Sequence, residues 1–297
     1  MRKRDSGYIY GTLAAISYGT NPLFALPLYA GGIGVNSVLF YRYAFAVVIY
    51  ALWLKFVKKT SLRIKKEALL PLFILGILFS LSSLLLFEAF KIIDAGIACT
   101  ILFIYPVMVA IIMALFFGEK FNKTTIISLL LTSSGIALLS DWSGDLHVNP
   151  KGILVVLLSS LCYATYMVGV QKIKAVKHLK SSILSFYVML FGLFVYIFNL
   201  KLCTELQILH TPFLWLCAIA LALIPTIFSI ETINYAIRLI GSTKTALLGS
   251  FEPLTALFIG ITVFHEHLSL QIVSGAALIL FGVALLVIKS TNKSNVQ

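Results

Sequence analysis

Ten apolar runs, separated only by short charged or turn-forming segments, dominate this sequence. A helix that crosses a bilayer needs about 20 apolar residues, so ten crossings use roughly 200 residues of the chain. Hydrophobic residues make up 60% of the 297 residues and charged residues 11%, whereas soluble proteins carry roughly 45–50% and 25%. A soluble globular protein is therefore excluded, and we predict an all-α integral membrane protein. The ten predicted transmembrane helices, numbered here as spans 1 to 10, are 7–29, 36–54, 69–90, 95–117, 124–140, 152–170, 182–200, 212–237, 244–263 and 270–288.

The basic residues predict the orientation of these spans. With the N-terminus inside, nineteen of the 23 lysines and arginines fall in internal segments, and Arg42 lies within span 2. The external segments hold only Lys91, Lys151 and Lys201. Basic residues are retained on the cytoplasmic side of membranes, so both termini are expected in the cytoplasm. The net charge of +12 is then a topology signal, and nucleic acid is not expected as a partner.

The chain contains an internal repeat. Sliding the sequence against itself by 147 positions superposes matching residues, and nearer the N-terminus an offset of 145 does the same. The matched pairs include Lys91 with Arg238, Pro106 with Pro253, Phe117 with Phe264, Glu119 with Glu266, Gly135 with Gly282 and, at the shorter offset, Tyr18 with Tyr163. We therefore divide the chain into residues 1–144 and 145–297, with five spans each. Because five is odd, the second half begins on the opposite side of the membrane, and the halves are predicted to be inverted copies.

These features resemble the drug/metabolite transporter superfamily, specifically its ten-helix EamA-type members, over nearly the whole chain. The resemblance rests on the duplicated five-helix unit, the repeated proline and glutamate pattern, and Gly135 and Gly282 in the last span of each half. It implies a carrier with a central cavity in the bacterial inner membrane, often an exporter of amino acids or other metabolites. In the first half Gly118 precedes Glu119, as in the family pattern. In the second half His265 precedes Glu266, so the second copy departs from that pattern.

Four of the prolines inside predicted spans are candidate helix kinks: Pro22, Pro106, Pro225 and Pro253. A proline within a helix removes the hydrogen bond to the carbonyl four residues earlier. The carbonyls freed in this way belong to Tyr18, Leu102, Leu221 and Gly249. Pro106 and Pro253 lie near the middle of spans 4 and 9, where carriers with inverted repeats place their binding sites. Two interpretations remain open, namely carbonyls that line a polar cavity, or packing kinks resolved by water or a hydroxyl.

Four charged residues lie within or near the ends of spans, where a charge is costly unless it faces a cavity or a partner. Arg42 and Glu88 belong to the outer half and are candidates for a pair, while Glu231 and Glu252 belong to the inner half. One hypothesis is that Glu252 with Glu231 titrates during transport and couples solute movement to protons. The alternative is a neutral or hydrogen-bonded carboxyl that only packs or gates.

Aromatic and amide side chains supply candidate solute contacts at helical spacing. They are Tyr18 with Asn21 on span 1, Tyr163 with Tyr166 on span 6, and Glu231 with Asn234 and Tyr235 on span 8. Tyr105 corresponds to Glu252 across the repeat, so each mid-span proline follows a polar side chain but only one is a carboxyl. Cavity lining and ordinary packing are both open for the tyrosines. Tyrosines combined with carboxylates would suit an amine-bearing or aromatic solute.

The function expected from these features is secondary transport of a small metabolite, an amino acid or a related amine or aromatic solute, by alternating access and in the direction of export. The sequence has no Walker-type loop, GxSxG elbow or dinucleotide glycine motif, so we expect neither an enzyme nor a cofactor. No metal site is expected from the scattered cysteines. The expected partners are the solute, membrane lipid and protons as the candidate coupling ion. A channel-like or scaffold membrane subunit and an intramembrane enzyme remain as alternatives.

Overall fold

The computed structural model describes residues 3–89, 92, 98, 101–119, 123–139, 149–263 and 270–292. All regular structure within these ranges is helical, and a helical segment lies at each of the ten predicted spans. Lys91, Phe264 and the segment from His265 to His267 lie outside the described residues.

The helices of the first half are Lys3–Gly19 and Asn21–Ala30 (span 1), Val35–Leu52 continued by a π-helix Trp53–Val57 (span 2), Lys66–Ala89 (span 3), Tyr105–Phe117 (span 4) and Lys123–Leu139 (span 5). Those of the second half are Pro150–Lys172 (span 6), the short connecting helix Lys174–Lys177, Ser181–Asn199 (span 7), Pro212–Ala222 with a π-helix Leu223–Phe228 and Ser229–Ile240 (span 8), Ser242–Leu248 and Phe251–Val263 (span 9), and Leu270–Asn292 (span 10).

Five of these helical segments are long and apolar enough to cross a membrane: spans 2, 3, 6, 7 and 8. Shorter apolar helices lie in spans 4, 5 and 10. Large apolar side chains such as Leu115, Phe116 and Leu270 are exposed on the outside of the bundle. An apolar exterior suits lipid rather than water, which agrees with the prediction of a multi-pass membrane protein.

The two halves pack through equivalent partners. Span 1 packs on span 8, and its repeat equivalent, span 6, packs on span 3. Spans 2 and 8 pair in the same way as spans 7 and 3, and the contact between spans 4 and 6 is matched by one between spans 9 and 1. Each half therefore binds its counterpart through the same set of helices, as expected for inverted repeats related by a two-fold axis.

Spans 5 and 10 show the repeat at the level of single residues. A Cβ atom on Gly135 would lie 2.7 Å from the carbonyl oxygen of Gly275 and 2.8 Å from the Ile279 side chain. A Cβ atom on Gly282 would lie 3.2 Å from the carbonyl oxygen of Ser128 and 2.9 Å from the side chain of Thr132. Positions 275 and 279 are the equivalents of 128 and 132 at the offset of 147. The glycines thus let the two helices approach closely at two symmetry-related points.

Spans 4 and 9 are broken helices. The sequence predicts a continuous helix with a kink at each proline, but in the structure Pro106 and Pro253 lie in the first turn of a new helix that starts at Tyr105 or Phe251. A proline is favourable there because the amide it lacks would have no partner in a first turn. Span 1 is also interrupted, at Thr20 before Pro22, whereas Pro225 lies in a π-helix that keeps span 8 helical.

Each of the four carbonyls freed by proline has a hydrogen-bond donor within the protein. For Leu102 and Leu221 the donor is a hydroxyl, which supports the interpretation of a kink resolved by a side chain. For Tyr18 it is an amide side chain, and for Gly249 a backbone amide. The donors are Asn21 Nδ2 to Tyr18 O at 2.8 Å, Ser160 Oγ to Leu102 O at 3.0 Å, Thr226 Oγ1 to Leu221 O at 2.8 Å and Glu252 N to Gly249 O at 2.8 Å.

Candidate functional site

The breaks of spans 4 and 9 meet at the centre of the bundle. Tyr105, the first residue of the helix in span 4, donates a hydrogen bond from its hydroxyl to Ala246 O at 3.2 Å. Its hydroxyl lies so close to Gly249 that a Cβ atom at that position would overlap it. A side chain at position 249 would therefore have to displace Tyr105, which approaches from the other half.

Aromatic rings extend from this meeting point across the bundle. The Tyr105 and Tyr163 rings meet edge to face with centroids 4.8 Å apart, and Tyr163 is nearly parallel to Tyr166 at 6.3 Å. Ring contacts of this kind are favourable beyond the area they bury. The Phe79 ring lies next to Tyr166, with centroids 4.9 Å apart, and 6.5 Å from the Tyr43 ring. The Tyr43 ring in turn lies 4.8 Å from the Tyr196 ring. We call Tyr43, Phe79, Tyr105, Tyr163, Tyr166 and Tyr196 the aromatic cluster.

Buried polar groups fix the orientation of Tyr166 within this cluster. Its hydroxyl donates to Asn234 Oδ1 at 2.6 Å, and Asn234 Nδ2 donates to Ser185 Oγ at 3.0 Å. All three residues are buried. A polar network that is satisfied in a low-dielectric interior is rigid, so spans 6, 7 and 8 are tied together beside the aromatic cluster.

Arg42 is a buried cation at one edge of the cluster, with 2% of its surface exposed. Its Nε donates to Thr226 Oγ1 at 2.6 Å and a terminal nitrogen donates to Pro225 O at 3.0 Å. The guanidinium carbon lies 5.3 Å from the centroid of the Tyr18 ring and 6.0 Å from that of Tyr43. Since a guanidinium has five N–H donors, these two contacts leave it able to bind an anionic group.

Glu252 supplies a carboxyl to the same region. It lies within electrostatic reach of the Tyr105 and Tyr163 hydroxyls, and Tyr18 lies within reach of the same two groups. Spans 1 and 9 are close here, since a Cβ atom on Gly19 would be 2.6 Å from Glu252 O. Arg42 thus lies beside Tyr18, and Glu252 lies near Tyr105 and Tyr163. Tyr18 and Tyr163 are repeat equivalents.

The structure brings together most of the predicted site residues but not all of them. Tyr18, Arg42, Tyr105, Tyr163, Tyr166, Asn234 and Glu252 share the central region described above. Asn21 instead binds the backbone of its own span. Glu88 is partly buried near the end of span 3, and its pairing with Arg42 stays a prediction.

Glu231 has partners of its own. Its Oε2 accepts a hydrogen bond from the Tyr50 hydroxyl at 2.5 Å, and its Oε1 forms a salt bridge with Lys58 Nζ at 2.9 Å. The salt bridges between described residues do not include Glu252. Glu231 is thus bound to Tyr50 and Lys58, and its association with Glu252 stays a prediction.

Sequence reasoning missed Tyr43, Phe79, Tyr196 and Thr226. Tyr43 and Thr226 could have been found as neighbours of Arg42 and Pro225, which were singled out. Phe79 and Tyr196 carry no such signal, because aromatic residues are common in apolar spans. No group of three or more metal-ligating side chains occurs in the described part of the chain.

Comparisons with known proteins agree with this architecture. The family described as EamA-like transporters matches the chain twice, over residues 5–141 and 150–288. An uncharacterized transporter of Synechocystis sp. is 26% identical over 234 residues, which cover 75% of this chain and 69% of the relative. An uncharacterized transporter of Archaeoglobus fulgidus is 28% identical over 190 residues, 64% of this chain and 66% of the relative. A protein of known crystal structure superposes with a TM-score of 0.80 at 16% identity, covering 95% of this chain and 97% of that chain, which shows a shared fold. The two family matches together span most of the sequence, and the chain belongs to the EamA-like transporter family.

Proposed function

We propose that this transporter carries a small amino-acid-like metabolite, with an amino group, a carboxylate and an aromatic or apolar side chain, through the central region by alternating access. The observation that supports the proposal is that Arg42, beside Tyr18, and Glu252, near Tyr105 and Tyr163, both lie next to the aromatic cluster. A guanidinium binds carboxylates well, and a carboxylate binds an ammonium. Aromatic faces accommodate both an apolar side chain and a cation.

The breaks in spans 4 and 9 support alternating access. Carriers built from inverted repeats place their solute sites at broken helices near the midplane, and one half moves against the other around that site. Tyr105 and Gly249 are the contact between the two breaks, so this pair is the proposed pivot. We propose export across the inner membrane with both termini in the cytoplasm, which rests on the basic-residue count and on the family.

Proton coupling is assigned to Glu252 rather than to the pair of carboxyls expected from sequence. A charged carboxyl within a membrane protein is costly when no cation compensates it, so protonation of Glu252 is favoured when the site is empty of an ammonium. Binding of a cationic solute then favours release of the proton. Glu231 has no part in this step, because Lys58 already compensates its charge.

The proposal is tested in two steps. Thermal stability of the purified protein across amino acids, aromatic amines, polyamines and nucleosides identifies ligands, because a ligand that binds only the folded state stabilises it by mass action. Counterflow of the best ligand in proteoliposomes then separates a saturable carrier from a channel. Absence of counterflow with a ligand that binds would contradict the transport proposal.

The coupling step is tested with Glu252→Gln under an imposed pH gradient. Transport by the wild type should respond to the gradient, whereas transport by the variant should not. A variant that keeps the full response would show that Glu252 does not carry the proton.

A further inference from the structure

A cavity of about 510 Å³ lies between spans 1, 2 and 8 and shares no lining residue with the aromatic cluster. Cavities that hold small organic molecules have volumes of about 300–1,000 Å³. Span 8 lines it with Leu223, Ile227, Glu231 and Tyr235. Glu231 and Tyr235 are one turn apart on the α-helix Ser229–Ile240, and Leu223 and Ile227 lie on the π-helix that precedes it. Apart from Glu231 and Thr232, the cavity is lined by apolar and aromatic side chains.

One part of this cavity has the groups that hold an ammonium. Glu231 supplies the carboxylate, and Tyr50 holds its second oxygen with a hydrogen bond of 2.5 Å. Trp53 stacks on Tyr50 with ring centroids 5.4 Å apart and presents its indole beside the carboxylate. A carboxylate and an aromatic face that converge on one point bind a primary ammonium by hydrogen bonding and by cation–π attraction.

In this structure the ammonium at that point belongs to Lys58. Its Nζ lies 2.9 Å from Glu231 Oε1 and 4.2 Å from the centroid of the Trp53 ring. Lys58 is not one of the lining residues and follows the end of span 2, with 38% of its side chain exposed. A lysine head on a flexible four-carbon stem can move into water. A ligand ammonium that replaced it would leave the charge of Glu231 compensated, so the exchange leaves no buried charge unpaired.

We propose that this cavity binds a small amphipathic primary amine, whose ammonium takes the place of Lys58 Nζ between Glu231 and Trp53 and whose apolar part lies along Ile227 and Leu223. Lys58 is then a tethered competitor that occupies the cation position when no ligand is present. The mouth of the cavity is accessible, since Tyr10 and Tyr235 at its edge are 37% and 42% exposed. This site is separate from the central region, and it requires binding only, not transport.

The test is calorimetric titration of the detergent-purified full chain with phenethylamine and with phenethyl alcohol, its neutral analogue. All titrations use a Glu252→Gln background, so that the carboxyl of the central region does not contribute. Lys58→Met keeps the aliphatic stem and removes the competing ammonium. If Lys58 holds the position about nine-tenths of the time, its removal should tighten phenethylamine binding about tenfold. Binding of the alcohol should not change.

Matched variants exclude trivial explanations. Lys55→Met removes a cation from the same segment that lies over Phe56 rather than Trp53, and it should leave both affinities unchanged. Glu231→Gln and, as a second variant at the same end, Trp53→Leu should each weaken amine binding. Equal tightening of amine and alcohol by Lys58→Met, or no tightening of the amine, would overturn the proposal. Neither result bears on transport through the central region, which counterflow tests separately.

Discussion

The two halves of the molecule are alike where helices only pack and unlike where the breaks of spans 4 and 9 meet. In spans 5 and 10, Gly135 and Gly282 make equivalent close contacts with residues at equivalent positions. In spans 4 and 9, a new helix begins next to the mid-span proline, at Tyr105 and at Phe251. Position 105 nevertheless carries a phenol where position 252 carries a carboxyl. The duplicated fold thus supplies two equivalent breaks, and their different side chains supply an asymmetric site.

The largest expected effect comes from removing one charge at a time from the central region. Arg42→Met should weaken binding of solutes that carry a carboxylate by about 10- to 100-fold, because hydrogen bonds to charged groups contribute about 1.5–3 kcal/mol. The same variant should hardly change the binding of amines that lack a carboxylate. Glu252→Gln should show the reverse selectivity, with loss for amines and little change for solutes that lack an amino group. Equilibrium binding of amino acids, the matched amines and the matched acids measures both, and identical losses for all three classes would contradict the assignment.

The contact between the two breaks gives the next largest effect. Gly249→Ala should lower stability by about 1–3 kcal/mol, the usual cost of overpacking, since the new Cβ would displace the Tyr105 hydroxyl. Tyr105→Phe removes that hydroxyl and should partly rescue Gly249→Ala. A double-mutant cycle on thermal stability measures the coupling. Additive effects would show that the two residues do not meet as described.

The glycine pair of spans 5 and 10 should respond symmetrically. Gly135→Ala and Gly282→Ala should each destabilise the protein by about 1–2 kcal/mol, since each new Cβ would contact the facing helix. Leu130→Ala, at a position that is 64% exposed on span 5, is the control and should have a smaller effect. A large difference in denaturation temperature between the two glycine variants would contradict equivalent packing of Gly135 and Gly282.

The smallest expected effect concerns the proline-freed carbonyl of span 4. Ser160→Ala removes the donor to Leu102 O and should cost about 1 kcal/mol. Thr165→Ala on the same span removes a hydroxyl that bonds only within its own helix, to Leu161 O, and should cost less. Thermal unfolding of the two variants compares them directly, and equal costs would show that the cross-span bond does not stabilise the break.

Sequence predicted the helices and the repeat because both rest on patterns that the chain itself displays. The apolar runs set the spans, and the offset of 147 correctly pairs Gly135 with Gly282. Sequence did not predict the breaks at Tyr105 and Phe251, because hydrophobicity is continuous across them and a mid-span proline is compatible with a kink or with a new helix.

The partners of the charged residues could not be predicted for a different reason. Depth along a span placed Glu231 and Glu252 in the same half of the membrane, but depth does not determine which face of a helix meets which neighbour. Lys58 belongs to a run of basic residues that predicts only the orientation of the spans, so nothing in the sequence distinguished it from Lys55 or Lys59. Its pairing with Glu231 follows from the packing of spans 2 and 8.

The most direct test of the central claim is counterflow in proteoliposomes of an aromatic amino acid identified by thermal stabilisation, compared among the wild type, Arg42→Met and Glu252→Gln. We expect saturable counterflow by the wild type and loss of it in both variants, with both still folded. Full counterflow by either folded variant would contradict a solute site formed between the cation of span 2 and the carboxyl of span 9.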